Sequence, residues 1–271
     1  MTVQQLFDMT GRVAIVTGGG THLGKAMAET LCELGAAVYI ASRRGGLCEQ
    51  VAAEMRERPS PTPSPRGRGH DVTGVACDAT KEDQVNALVD RVMKERGRLD
   101  VMIANAGGGR STSYPPHGKL SEFVQTLEVN MVSTYLCAQA AARAMVPARR
   151  GSIITLGSIA ATLGSDKRIY GPNFTRSGPH YMAAKGGVLQ LTRALACEFG
   201  EWGITVNCVS PGQIPKDTVD PAQVERFRQM NPLQRTGTRD DIKGVVAVLA
   251  SDAGRWITGQ NFLVDGGWSI W

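Results

Sequence analysis

The stretch Thr17–Gly24, "TGGGTHLG", decides how the rest of the chain is read. It closes an apolar, β-branched run, Val13–Thr17, and leads into an amphipathic stretch, Lys25–Leu34. Strand, glycine-rich turn and helix in that order form the setting in which backbone N–H groups approach a pyrophosphate, with the positive end of the helix dipole behind them. Gly18, Gly19, Gly20 and Gly24 suit that task, but His22 stands where such a loop ordinarily has a further glycine. Its ring has three readings: pointing to solvent, helping to bind an anion, or crowding the nucleotide. Only positions held at φ > 0 require glycine, and a residue entering a helix need not be one of them. The loop is therefore expected to bind a nucleotide still.

The alternation begun there continues along the chain. Further short apolar runs are Ala37–Ala41, Val72–Cys77, Val101–Ala104, Ser152–Leu156, Ile204–Val209 and Phe262–Val264, and Asp83–Arg96 and Tyr181–Phe199 are amphipathic. Strands alternating with helical stretches predict an α/β fold, a doubly wound parallel sheet (a Rossmann fold) with helices on both faces. No repeat or linker divides the chain, so residues 1–271 are expected to form one domain. Two segments break the rhythm. "RPSPTPSPRGRGH", residues 58–70, reads as a surface loop insertion, and "GSDKRIYGPNFTRSGPH", residues 164–180, as an insertion near the chemistry.

Composition narrows the class. A formal charge of +5 without a Lys/Arg run interleaved with aromatics argues against a nucleic-acid partner. The six cysteines show no CxxC pair and no metal-ligand spacing with the four histidines, which suits reduced thiols and no metal. No apolar run reaches the roughly 18 residues of a membrane helix, and the first residues lack the pattern of a signal peptide. The expectation is a cytoplasmic protein without a membrane partner.

The chemistry is concentrated in "YMAAK", Tyr181–Lys185. On a helix, residues i and i+4 share a face, and a nearby ammonium favours the phenolate, so Tyr181 is a candidate general acid/base. Upstream, Ser158 ends "SIITLGS", Asn130 lies in the helical "LEVNMVSTY", and "NAG" at Asn105–Gly107 follows "LDVMIA". With the loop at Thr17, Asp78 after the third strand, Pro211–Gly212 and the closing "VDGG" at Val264–Gly267, the chain resembles the short-chain dehydrogenase/reductase family along essentially its whole length. His22 is the departure from that family's pattern.

The resemblance implies the catalytic set Asn130, Ser158, Tyr181 and Lys185. Tyr181 exchanges a proton with the substrate oxygen, Ser158 hydrogen-bonds it, and Lys185 binds the nicotinamide ribose and lowers the Tyr181 pKa. Asn130 holds a water in a relay. It also implies cofactor contacts from Gly18, Thr21, His22, Leu23, Ser42, Arg43, Asp78, Asn105, Gly107, Tyr181, Lys185, Pro211, Gly212 and Ile214. At the end of the second strand, "VYIASRR" has Ser42 where an NAD site places an acid, with Arg43 and Arg44 beside it. Arg43 can clamp a 2′-phosphate bidentately, so NADP(H) is favoured over NAD(H).

Between Ser158 and Tyr181 lie 22 residues, more than the family commonly has. Asp166, Lys167, Arg168, Tyr170, Asn173 and Arg176 within them suggest hydroxyl-binding and cationic groups, hence a sugar, polyol or sugar acid as in gluconate 5-dehydrogenases. Residues 213–230 read as a substrate lid. The alternatives are a 3-oxoacyl-thioester reductase or a non-catalytic nucleotide-binding scaffold. The family also implies a homo-oligomer, often a tetramer, consistent with the apolar end "GGWSIW".

Overall fold

The computed structural model describes residues 1–64, 67–108, 113–170 and 176–271. In chain order the elements are α1 (Val3–Phe7), β1 (Val13–Thr17), α2 (His22–Glu33), β2 (Ala37–Ser42), α3 (Gly45–Arg56), β3 (Pro59–Ser64), β4 (Gly67–Gly69), β5 (Val72–Ala76) and α4 (Glu82–Arg96). There follow β6 (Val101–Ala104), α5 (Leu120–Leu127), α6 (Ser133–Met145), β7 (Gly151–Leu156), α7 (Pro179–Phe199), β8 (Ile204–Pro211), α8 (Pro221–Gln229), α9 (Lys243–Ala250) and β9 (Asn261–Val264). Seven strands form one parallel sheet in the order β5-β2-β1-β6-β7-β8-β9. The order reverses between β1 and β6, and the crevice beyond the carboxyl ends of those strands is where ligands of such sheets bind.

The inner strands read as largely apolar runs because both faces of the sheet are covered there. In β1, Ala14 and Val16 pack with Met27, Leu31, Val246 and Leu249 on one face. Val13 and Ile15 pack with Leu88, Val92, Cys137 and Ala141 on the other. Burying a side chain of this size is worth about 1.5–3 kcal/mol, so a one-residue slip of β1 would exchange the two faces and both packings. At the amino ends of the strands, Asp252 holds Arg12, just before β1, and Arg150, just before β7, each at 2.6 Å. Asp100, before β6, accepts the Val13 N–H at 2.9 Å.

One expectation is corrected. Residues 58–70 are not wholly loop: β3 and β4 pair antiparallel, Pro59 opposite Gly69 and Ser64 opposite Gly67. A fixed proline φ suits extended backbone, and a two-stranded ribbon needs few proline N–H groups. Arg58 ties the base of this ribbon to the buried Glu29 of α2 at 2.8 Å. Among the described residues, no helix is long and apolar enough to cross a membrane. All six cysteines are free thiols.

Candidate active site

The carboxyl ends of β1 and β6 are laced together. Asn105 Nδ2 donates to the Thr17 carbonyl at 2.9 Å, and Thr17 Oγ1 accepts the N–H groups of Asn105 and Ala106, each at 3.1 Å. Between these ends the loop turns at Gly18 (φ 67), where a methyl group would stand 2.6 Å from Asn105 Nδ2. Gly24 lies against the Gly18 carbonyl with no room for a side chain. Thr21 precedes α2 without a side-chain cap, which leaves the first-turn N–H groups of that helix for a ligand.

These glycines front a chamber of about 830 Å³. It is bordered by Gly18, Thr21, His22, Leu23, Ser42, Arg43, Asp78, Asn105, Gly107, Pro211, Gly212 and Ile214, together with Ser158, Tyr181 and Lys185. Of the residues expected at the site, Asn130 alone does not border it. The chamber's volume, its uncapped helix end and its glycine-rich loop fit a dinucleotide. Ser42 Oγ lies 3.1 Å from Cys48 Sγ and accepts the Arg44 N–H, while Arg43 and Arg44 stand exposed at the mouth. Asp78 Oδ1 accepts both the N–H and the hydroxyl of Thr80, and these bonds, with the Arg43 charge, hold its carboxyl below the usual range.

The His22 ring does not simply point to solvent: it is half-buried at the chamber edge. The residue sits at φ 46, so the position does demand left-handed backbone, contrary to expectation. Histidine is among the residues that tolerate that region best. Its Nε2 lies 3.1 Å from the carbonyl oxygen of Ile214, in the segment after β8. A carbonyl only accepts, so Nε2 carries the hydrogen.

The catalytic candidates meet beyond β7. Ser158 Oγ accepts the Ala160 N–H at 3.1 Å, and Ser158 and Tyr181 line the same chamber wall. Pro179, at the first turn of α7, presets the helix that presents Tyr181 and Lys185 on one face. Lys185 is buried; its Nζ donates to the Leu156 carbonyl at 2.6 Å and lies 5.7 Å from the Tyr181 ring centre. Burial pushes the Tyr181 phenol up, with the Ser158 hydroxyl pulling partly back, and burial lowers Lys185 to about 8. The expected lowering of Tyr181 by Lys185 is absent without ligands, because desolvation dominates both groups.

Asn130 lies behind the chamber wall on a single π-helical turn, Glu128–Val132, that joins α5 to α6. Its Nδ2 donates to the carbonyls of Gly108 and Thr126, and its Oδ1 accepts the Gly108 N–H at 3.0 Å. Both amide hydrogens are thus engaged by the protein. A methyl group on Gly107 would stand 2.8 Å from Asn130 Oδ1, so the glycine lets strand end and helix meet.

A second chamber, of about 420 Å³, adjoins the first. Ser158 and Tyr181 border both, as do Gly212, Ile214 and Lys216. Residues 164–180 contribute Ser165, Asp166, Ile169 and Tyr170, and residues 213–230 contribute Gln213, Pro215, Val219 and Phe227. Tyr170, Phe227 and Trp268 meet edge to face, with ring centres 5.9 and 6.0 Å apart. Gln223 of α8 donates to the Ile169 carbonyl at 3.2 Å, which ties α8 to the segment before α7.

The expected cationic wall is not there. Lys167 is exposed, Arg168 pairs with Asp166 at the surface at 2.7 Å, and Arg176 stacks on the Tyr114 ring at 4.4 Å. Asn173 lies outside the described residues. Thr80 and Ser133 border the larger chamber without being singled out by the sequence, whereas Arg44, Lys216 and Phe227 were covered only as members of the RR pair and of residues 213–230.

Comparison with known proteins agrees with this geometry. A family profile described as enoyl-(acyl carrier protein) reductase matches residues 20–269. The chain is 34% identical to (+)-borneol dehydrogenase 2 of Salvia officinalis, over 96% of this chain and 90% of that protein. A short-chain type dehydrogenase/reductase from Mycobacterium marinum superposes with a TM-score of 0.86 at 33% identity, covering 99% of each chain. A gluconate 5-dehydrogenase from Burkholderia cenocepacia J2315, in complex with NADP and tartrate, superposes at 0.87 with 26% identity over 100% of both.

Proposed function

The chain belongs to the short-chain dehydrogenase/reductase family and is an oxidoreductase, and from that premise we propose that it moves hydride between NADP(H) and a secondary alcohol or ketone on a compact ring. The observation that carries this reading is that the hydroxyls of Ser158 and Tyr181 border both chambers at once. A reacting carbon in the smaller chamber would face the larger one across those two hydroxyls.

A bound nicotinamide supplies or accepts the hydride. In the reducing direction the Tyr181 phenol, kept protonated by burial, gives its proton to the developing alkoxide. Ser158 Oγ donates a second hydrogen bond to that oxygen, and two fixed donors stabilise the charge as it forms. Alcohol oxidation runs the proton the other way. It needs the phenolate, so its rate climbs with pH while reduction does not. Lys185, anchored by the Leu156 carbonyl, brings positive charge beside Tyr181 below about pH 8. Asn130 acts at one remove by fixing the wall at Gly108.

NADP(H) is supported by Ser42 in place of an acid and by the exposed Arg43 at the mouth. A ring-bearing substrate is supported by the aromatic trio and by Ile159, Leu163, Ile169 and Met182 around it. A cyclic polyol or sugar acid is the second reading. Ser165, Asp166 and Gln213 in the same walls offer hydroxyl-binding groups for it.

The test is steady-state turnover of alicyclic ketones, cyclic polyols and sugar acids with NADPH and NADH, on wild type, Tyr181→Phe and Arg43→Ala. Tyr181→Phe should lose roughly 10³-fold in kcat yet bind NADPH as wild type does. Arg43→Ala should weaken NADPH far more than NADH. Retained turnover in the first variant, or equal losses in the second, would remove the assigned role.

A further inference from the structure

The residue that departs from the glycine pattern leads furthest. At φ 46 the His22 backbone occupies a conformation that costs a side-chain-bearing residue about 1–2 kcal/mol, so a glycine there would be the cheaper choice for the loop alone. What the histidine adds is reach. Its Nε2–H spans 192 positions of sequence to the Ile214 carbonyl at 3.1 Å. Ile214 belongs to the segment Gly212–Lys216, three of whose residues border both chambers.

The root of that segment is held elsewhere. Gly212 N–H donates to Val264 of β9, and the Gly237 N–H donates to Gln213. Beyond that root, the backbone bonds of 214–219 are local ones, from Ile214 to Gly212 and from Val219 to Lys216. Among the described residues, the His22 bond is the long-range hydrogen bond that fastens 214–219 to the rest of the protein.

We infer that His22 is a positioning residue, a clasp that seats the base of the lid on the phosphate-binding loop before either ligand arrives. The wall common to the two chambers is thereby set from the cofactor side. The inference rests on reading the larger chamber as the cofactor's. It assigns His22 no contact with reacting atoms: its effect passes through Ile214 to the walls around Ser158 and Tyr181.

Amide hydrogen exchange on the ligand-free protein tests the clasp without any assumption about substrate. His22→Asn keeps a residue that tolerates left-handed backbone but is too short to reach Ile214, and His22→Gly removes both the backbone cost and the bond. In both variants the amides of Ile214 and Lys216–Val219 should exchange roughly fivefold faster, the effect of one net hydrogen bond, while α2 exchanges as in wild type. With any ketone the enzyme accepts and NADPH held saturating, KM for the ketone should rise by a larger factor than kcat falls. Unchanged exchange at 214–219 in both variants would overturn the clasp. So would an acceleration spread equally through α2, which would make His22 a feature of loop stability alone. Loss of NADP(H) preference with the exchange result intact would instead count against the proposed function and leave the clasp standing.

Discussion

Lys185 shows how much one buried charge can govern. Its ammonium is out of water with a single carbonyl for company, and its pKa falls to about 8. In the unfolded chain a lysine keeps its proton to about 10.4. Between those values the unfolded state binds more protons than the folded one, so the contribution of this group to stability rises with pH. Lys185→Met carries no such group. Wild type should therefore gain on the variant by up to about 3 kcal/mol between pH 7 and pH 10, read from urea midpoints at each pH without ligands. A difference independent of pH would mean the ammonium is solvated in solution. At pH 7 the same variant should be inactive, since the charge beside Tyr181 is gone.

At the scale of elements, the π turn between α5 and α6 places a polar side chain where a regular helix would not, and π turns of this kind recur at functional sites. Asn130→Ala leaves the N–H and carbonyl of Gly108 and the carbonyl of Thr126 without their partner. The expected cost is on the order of 3 kcal/mol, with cofactor binding weakened because Gly107 and Gly108 border its chamber. Thermal melting and a fluorescence titration with NADPH check the two halves. The five inner strands were legible because burial on both faces writes a continuous apolar run, while the half-buried edge strands β5 and β9 were legible only as short β-branched or apolar stretches. The β3–β4 ribbon was not, since a proline-rich run signals loop and extended strand alike. Tyr181, Lys185 and Ser158 were legible as a set through their spacing and order. The directions of Lys167, Arg168 and Arg176 were not: a charge in an inserted segment says nothing about which way its side chain turns, and Asp166 and Tyr114 hold two of the three outside the chamber. Nor does sequence reveal that position 22 lies at positive φ, because that depends on how α2 meets β1.

Across the whole molecule, α5 presents Leu120, Phe123 and Val124 at helical spacing to the exterior, and the chain ends in the exposed Ile270 and Trp271. Exposed apolar side chains on one helix face suit a contact with another protein, and a second copy of the chain is the occupant the family resemblance implies. Light scattering should give a multiple of the monomer mass, and Phe123→Glu should shift it downward; a monomeric wild type would remove the assembly. The chemistry gathers at the carboxyl ends of the strands, while Asp252 joins Arg12 to Arg150 at the opposite ends. That separation divides inheritance in two. Exchanges along the chamber walls alter what the enzyme accepts and leave the ties at the far edge of the sheet untouched, so a lineage built on this chain can take up a new substrate without solving the folding problem again.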